Sequence, residues 1–175
     1  MEELRDLVKR NPRQMNYEEY KYVADHILSC KNILIFGLGK DSMIWNNLNP
    51  NIVFVEDNQF WIDQYHDSLN NIIKVEYFTK VKNFEKDKLE IDKLFLSNIP
   101  DKKYDLIVVD APVGGKKEMP GRLQSIYTAR YLMRKHVLIH DLHRELEQRA
   151  CDLFFKNMNY NTIRHLRHYC KEEQL

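Results

Sequence analysis

The stretch NILIFGLGKDSMIW, residues 32–45, joins an apolar run to a glycine pair. A short apolar run that ends in glycine reads as a buried strand entering a tight turn. Gly37 and Gly39 carry no Cβ, so the backbone N–H groups around Leu38 are free to approach a ligand closely. Dinucleotides and S-adenosyl-L-methionine (SAM) both bind at turns of this kind. The full dinucleotide fingerprint has a third glycine three positions on, and that position is Ser42. Asp41 stands at the start of the next helix, where a carboxylate repels a pyrophosphate but suits a sulfonium and an ammonium. The turn therefore favours SAM. An NAD(P)-dependent oxidoreductase is the alternative, and a catalytically silent glycan- or nucleotide-binding module is the second.

Outward from this turn the chain alternates between helices and short apolar strands. Asn16 and Glu19 form a capping pair before the helical stripe Tyr20, Val23, Ala24, Ile27, Leu28, which predicts a helix over 17–29. Further strands are expected at 52–56, 72–78, 104–112 and 136–141, with a last one around Thr162 to Tyr169. Helices are expected over 41–48, around Trp61, Tyr65 and Leu69, around Ile91, Leu94 and Phe95, from Pro120 onward, and around Leu146 to Phe154. Continuous apolar strands alternating with helices mark a parallel sheet covered on both faces. The expected fold is thus α/β and Rossmann-like: a mostly parallel sheet with helices on both faces, formed by one domain over 1–175 with an N-terminal helical segment at about 1–30.

Such sheets bind ligands at the carboxyl ends of their strands. The first strand delivers Gly37 and Gly39 there. The second delivers Glu56 and Asp57, roughly 20 residues after the glycines, where an acid accepts hydrogen bonds from a ribose. The fourth delivers Asp110 and Ala111, and the fifth His140 and Asp141. Gly37, Leu38, Gly39, Asp41, Ser42, Glu56, Asp57, Asp110 and Ala111 are therefore the candidate cofactor contacts.

Composition narrows the partners. The 175 residues include 27 basic and 26 acidic side chains, a net charge of +1, so no field directed at nucleic acid or membrane is implied. No apolar stretch reaches the length of a membrane span, and no signal-peptide pattern opens the chain. Cys30, Cys151 and Cys170 are odd in number and lack ligand spacing, which points to reduced thiols and not to zinc. A soluble, cytoplasmic setting is expected.

The blocks FGLGKDSMIWNNLNP, VFVEDNQFW, YDLIVVDAPVGG, PGRLQSIYTA and VLIHDLHRELE resemble the plant glucuronoxylan 4-O-methyltransferase family and its irregular-xylem relatives, from about Gln14 onward. The resemblance implies a SAM-dependent methyltransferase fold and methylation of a sugar hydroxyl in a glycan or glycoconjugate. It leaves open a chain that stands alone or a domain of a larger glycan-building protein.

A sugar hydroxyl is a weak acid, so its methylation needs a base, a metal or both. Asp110 and Asp141 suit either role, and a Mg²⁺ or Mn²⁺ between them is expected, with His140 or His143 as base or further ligand. Arg122, at a helix N-terminus, suits a sugar carboxylate, and Tyr127 on that helix is a second substrate candidate. His165 and His168 lie three apart in one expected strand and so on opposite faces, which argues against a shared metal.

Overall fold

The computed structural model describes residues 2–171. Two helices come first, α1 (Glu2–Arg10) and α2 (Tyr17–Ser29). The start of α2 is fixed by a capping box: the Asn16 side chain accepts from Glu19 N and the Glu19 carboxylate from Asn16 N, each at 2.8 Å. Then follow β1 (Ile33–Phe36), α3 (Ser42–Leu48), β2 (Val53–Glu56), α4 (Gln59–Tyr65) and β3 (Ile72–Lys74). A 3₁₀ turn and two single-turn helices, α5 (Phe84–Asp87) and α6 (Ile91–Leu94), lead to β4 (Tyr104–Val109). The chain closes with α7 (Leu123–Leu132), β5 (Met133–Ile139), α8 (Glu145–Phe154), β6 (Tyr160–Ile163) and β7 (Leu166–Cys170).

The strands form one sheet in the order β3-β2-β1-β4-β5-β7-β6. Strands β1 to β5 are parallel, and β7 runs antiparallel between β5 and β6. The order reverses between β1 and β4, so their carboxyl ends splay apart into a crevice. Alternate strand residues feed two cores. Leu34, Phe36, Ile107 and Val109 pack under α7 and α8, while Ile33, Ile35, Leu106 and Val108 pack under α1 to α4. All six residues of β4 are buried. At about 1.5–3 kcal/mol for each large apolar side chain removed from water, this central strand anchors the crevice.

Besides strand ends displaced by a few residues in β4 and β5, four expectations differ from the structure. β3 ends at Lys74 instead of 78, because the chain leaves β2 after Val75 N bonds to Glu56 O, and the N–H groups of Phe78 and Thr79 turn to the Gln124 side chain. The 80–103 segment holds three short helical pieces, since only scattered residues such as Phe84 and Leu94 are buried in it. Pro120 lies outside α7, two residues before Arg122, which takes the N-cap position. The last strand is a hairpin that turns at Arg164 and His165, with Arg164 at φ 53°. That turn has no Gly or Asn-Gly to announce it. It is held from outside, by His165 N donating to the Glu19 carboxylate at 2.9 Å.

Candidate functional site

The carboxyl ends of β1, β2, β4 and β5 open on a cavity of about 380 Å³. Gly37, Leu38, Gly39, Asp41, Glu56, Asp57, Asp110, Ala111, Arg122, His140 and Asp141 all line it, as the strand-end rule requires. Gly37 adopts φ +115°, and a Cβ there would meet the Ala111 Cβ at 3.0 Å. Only glycine lets β1 turn so close to β4.

Ser42 lies behind this turn. It is fully buried, and its hydroxyl accepts from Gly39 N at 2.9 Å, so it shapes the loop in place of touching a cofactor. Glu56 also supports the loop more than its position suggests. One carboxylate oxygen accepts from Leu38 N at 2.7 Å, and the other from Asp57 N and Asn58 N. An ionised carboxylate offers about four acceptor positions, so one remains for a ribose hydroxyl. Asp57 and Asn58, next along the rim, supply the neighbouring polar groups.

Asp41 faces the cavity near Asp110. Burial, reinforced by the Asp110 charge, pushes its carboxyl up to about 6, although the Trp45 side chain hydrogen-bonds to it. Such an acid-lined wall repels a pyrophosphate and gains from a cationic ligand.

The centre of the site is one buried guanidinium. Arg122 is 3% exposed. Its Nη2 donates to the Asp110 carboxylate at 3.0 Å, to the Asp141 carboxylate at 2.5 Å and to Asp110 O at 2.7 Å. Its Nη1 donates to His140 O at 2.8 Å and to Val109 O at 3.4 Å, and Nε to Pro112 O. These bonds tie the end of β4 to the end of β5. They also engage the whole donor fork, so the expectation that Arg122 grips a sugar carboxylate is corrected. The two acids do converge, and the cation between them is Arg122.

Asp110, His140 and Asp141 bring ligand atoms within 4.8 Å of one another. A divalent ion bridging the two carboxylates would nevertheless have to displace, or sit against, the guanidinium already bonded to both. The donor set does not fit the expected Mg²⁺ or Mn²⁺ bridge. Asp141 also holds Arg144 at 2.9 Å, and its own φ is 65°. A non-glycine residue in that region carries local strain, of a kind that clusters at working sites.

His140 points Nδ1 at the Asp110 carboxylate, 2.9 Å away. Burial by itself would lower the imidazole. The hydrogen bond and charge of Asp110, with the charge of Asp141, outweigh burial and raise it above its ordinary value. Glu19, 1% exposed, places a carboxylate 3.9 Å from Nε2 on the other side of the ring. Asp110 shows the opposite balance: burial would raise it, but Arg122 and His140 prevail and hold it low.

Two candidates besides Ser42 lie outside the cavity lining. His143 is half-exposed: its ring lies tilted against His165, centroids 4.6 Å apart, with Nδ1 3.9 Å from the Asp141 carboxylate. Tyr127 packs edge-on against Phe154 in the α7–α8 core, where it follows the helix face that the strand ends do not reach. Sequence reasoning missed Arg144, Glu19 and Trp61. Arg144 and Trp61 line the cavity, and Glu19 backs His140 from α2. Nothing in their local sequence marks them for the site, because the docking of α2, α4 and the start of α8 on the sheet places them there.

The family model for IRX15/IRX15L/GXM matches residues 19–93 and 83–169. The chain belongs to this family. Glucuronoxylan 4-O-methyltransferase 3 of Arabidopsis thaliana is 36% identical over 73% of this chain and 52% of its own length. Arabinogalactan O-methyltransferase 2 of the same plant is 30% identical over 89% of the chain and 66% of its own length. The chain spans about half the length of the curated relatives it matches first. Among solved structures, a SAM-dependent O-methyltransferase from Thermotoga maritima superposes with a TM-score of 0.55 at 10% identity. It covers 98% of this chain and 72% of that one, a likeness of fold. Among the described residues, no helix is long and apolar enough to cross a membrane.

Proposed function

We propose that this IRX15/IRX15L/GXM family member is a SAM-dependent O-methyltransferase whose acceptor is a sugar hydroxyl of a polysaccharide. The observation that carries the reading is the Asp110–His140 pair at the cavity floor, beside the glycine turn. The relatives named for glucuronoxylan and arabinogalactan methylation support the acceptor class. A wall of acids next to the turn weighs against the nicotinamide alternative. A reducing, cytoplasmic setting remains part of the proposal, supported by the two buried thiols of Cys30 and Cys151.

SAM, when bound, supplies an electrophilic methyl group on a sulfonium. The residues around the cavity explain how the chain would use it. Leu38 and Gly39 bring backbone close to the cofactor, and the free acceptor position of Glu56 with Asp57 meets the ribose diol. The negative charge of Asp41 attracts the cationic end. Displacement at the methyl needs the acceptor oxygen in line, so positioning supplies much of the rate.

Proton removal falls to His140. Asp110 holds Nδ1–H, which leaves Nε2 as the basic nitrogen, and the carboxylates of Asp110, Asp141 and Glu19 stabilise the imidazolium that forms. Arg122 keeps Asp110 ionised and fixed, acting as a positioning residue. Arg144, about a quarter exposed at the rim, takes over the role expected of Arg122 and offers a cation to a uronic acid.

Incubation with labelled SAM and a panel of plant and microbial polysaccharides tests the acceptor. Label in a methyl ether of a sugar supports the proposal. Label only on protein or RNA, or binding of SAM without any transfer, refutes it. The metal question has its own measurement. With Arg122 as the bridging cation, exhaustive chelation leaves kcat unchanged, and rescue of a dead chelated enzyme by Mg²⁺ or Mn²⁺ would restore the metal mechanism.

A further inference from the structure

A second cluster of titratable side chains lies away from the cavity. His26 on α2, His136 on β5 and His168 on β7 bring ring nitrogens within 4.8 Å of one another. These are three of the seven histidines in the chain. Their ring centroids are 4.8–5.3 Å apart, and His136 Nδ1 lies 3.0 Å from His168 Nε2. We propose that these three imidazoles form a structural binding site for a borderline transition-metal ion, Zn²⁺ in the first instance, that clamps α2 to β5 and β7. The proposal does not depend on the methyltransferase reading.

Three features favour an ion over simple ring packing. The first is the orientation of the rings. His26 Nδ1 donates to Tyr22 O at 2.8 Å, which fixes its tautomer and leaves Nε2 as the lone-pair donor. His168 Nδ1 sits 2.8 Å from the Tyr22 hydroxyl, which leaves its Nε2 facing the cluster. Metal-ligating histidines almost always engage their other nitrogen with a carbonyl or a similar outer partner. Here one residue, Tyr22, supplies that partner to two of the three.

The second feature is charge. Burial, helped by the neighbouring histidines, brings His168 down to about 4, and burial with the His26 and Lys135 charges lowers His136. For His136 and His168 the shift favours the neutral imidazole, the form that ligates. The third is donor type. Nitrogen donors with no carboxylate in the group select zinc, copper or nickel over magnesium, calcium or manganese. A tetrahedral zinc site needs one more ligand. Cys170 stands opposite His136 in the β5–β7 ladder and so on the same face of the sheet, and solvent reaches the partly exposed His26 and His136.

The sequence concealed this site. His168 invited comparison with His165, three residues away, whereas its partners come from two other elements. Zn²⁺ titration of the metal-free protein, by calorimetry and by competition with a chromophoric chelator, tests the proposal. One equivalent is expected to bind and to raise the melting temperature. Co²⁺ in its place is expected to show the strong visible bands of a tetrahedral ion. His26→Ala and His136→Ala, both at partly exposed positions, should abolish the melting shift. Tyr22→Phe keeps the ring and loses only the hydroxyl, and should weaken Zn²⁺ by about 10–100-fold. Asp110→Asn should leave Zn²⁺ affinity unchanged. Failure to bind an equivalent of Zn²⁺ overturns the site. So does binding that survives His26→Ala and His136→Ala, or that disappears in Asp110→Asn, since the ion would then sit at the cavity.

Discussion

His136 on β5 and His140 just past its carboxyl end stand four residues apart and face the same helix, yet their surroundings push them in opposite directions. His140, at the carboxyl end, has Asp110, Asp141 and Glu19 within 4 Å and is raised. His136, one turn of α2 and more away from that end, has His26 and His168 as neighbours and is lowered. His140 is buried and His136 partly so, and burial alone disfavours the cation in each case. The difference is the company. Carboxylates make a proton acceptor whose charged form is tolerated, and imidazoles make a neutral donor set.

The contrast is most exposed to Arg122. Removing the guanidinium in Arg122→Met leaves Asp110 and Asp141 buried without their cation, so stability should fall by about 3–5 kcal/mol in urea titrations and turnover should vanish. A loss under about 1 kcal/mol, the worth of a surface pair, would mean that the acids have another counter-charge.

The next effect is catalytic. His140→Gln should lower kcat by about 10²- to 10⁴-fold while SAM binding persists. In the unsubstituted enzyme kcat/KM should climb with pH through a value above that of ordinary histidine, because the base must be neutral and its folded pKa is raised. A profile that is flat in that range would remove His140 from the mechanism. The corresponding change at the other end of the strand, His136→Ala, should leave this limb in place.

Asp41 gives a smaller effect with two signs. Its folded pKa of about 6 lies above the unfolded value near 3.9. Its contribution to stability is therefore full at low pH and lost as pH rises through about 6. Asp41→Asn should stabilise the free protein near neutral pH, on the order of 2 kcal/mol by thermal or urea melts. The same change should weaken SAM, and binding to the unsubstituted protein should weaken as pH falls below about 6. Equal SAM affinity in both proteins would show that the acid does not meet the cation. Smallest of all, Tyr127→Phe and His143→Ala should keep kcat/KM within about twofold and stability within about 0.5 kcal/mol, as expected of side chains that do not line the cavity.

The residues that sequence reading placed correctly share one property: they are fixed by the strands they end. An apolar run buried on both faces has a definite carboxyl end, and whatever follows it enters the crevice. Gly37, Asp110, His140 and Asp141 were legible for that reason, as was the α2 capping box. Legibility stopped where a position depends on how one element docks on another. Tyr127 and His143 have suitable chemistry and adjacent numbers, but their side chains leave the cavity.

By itself the sequence determined the alternation of strands and helices, the glycine turn and the row of acids at one edge of the sheet, because these follow from local periodicity and from the absence of a Cβ. The tertiary structure decided what charge each acid meets. Arg122 became the cation between Asp110 and Asp141, Glu19 came across from α2 to back His140, and three histidines from three elements converged beside Tyr22. Coulombic and hydrogen-bond energies depend on distances of a few ångströms between groups far apart in the chain, and only the packing of helices on the sheet fixes those distances.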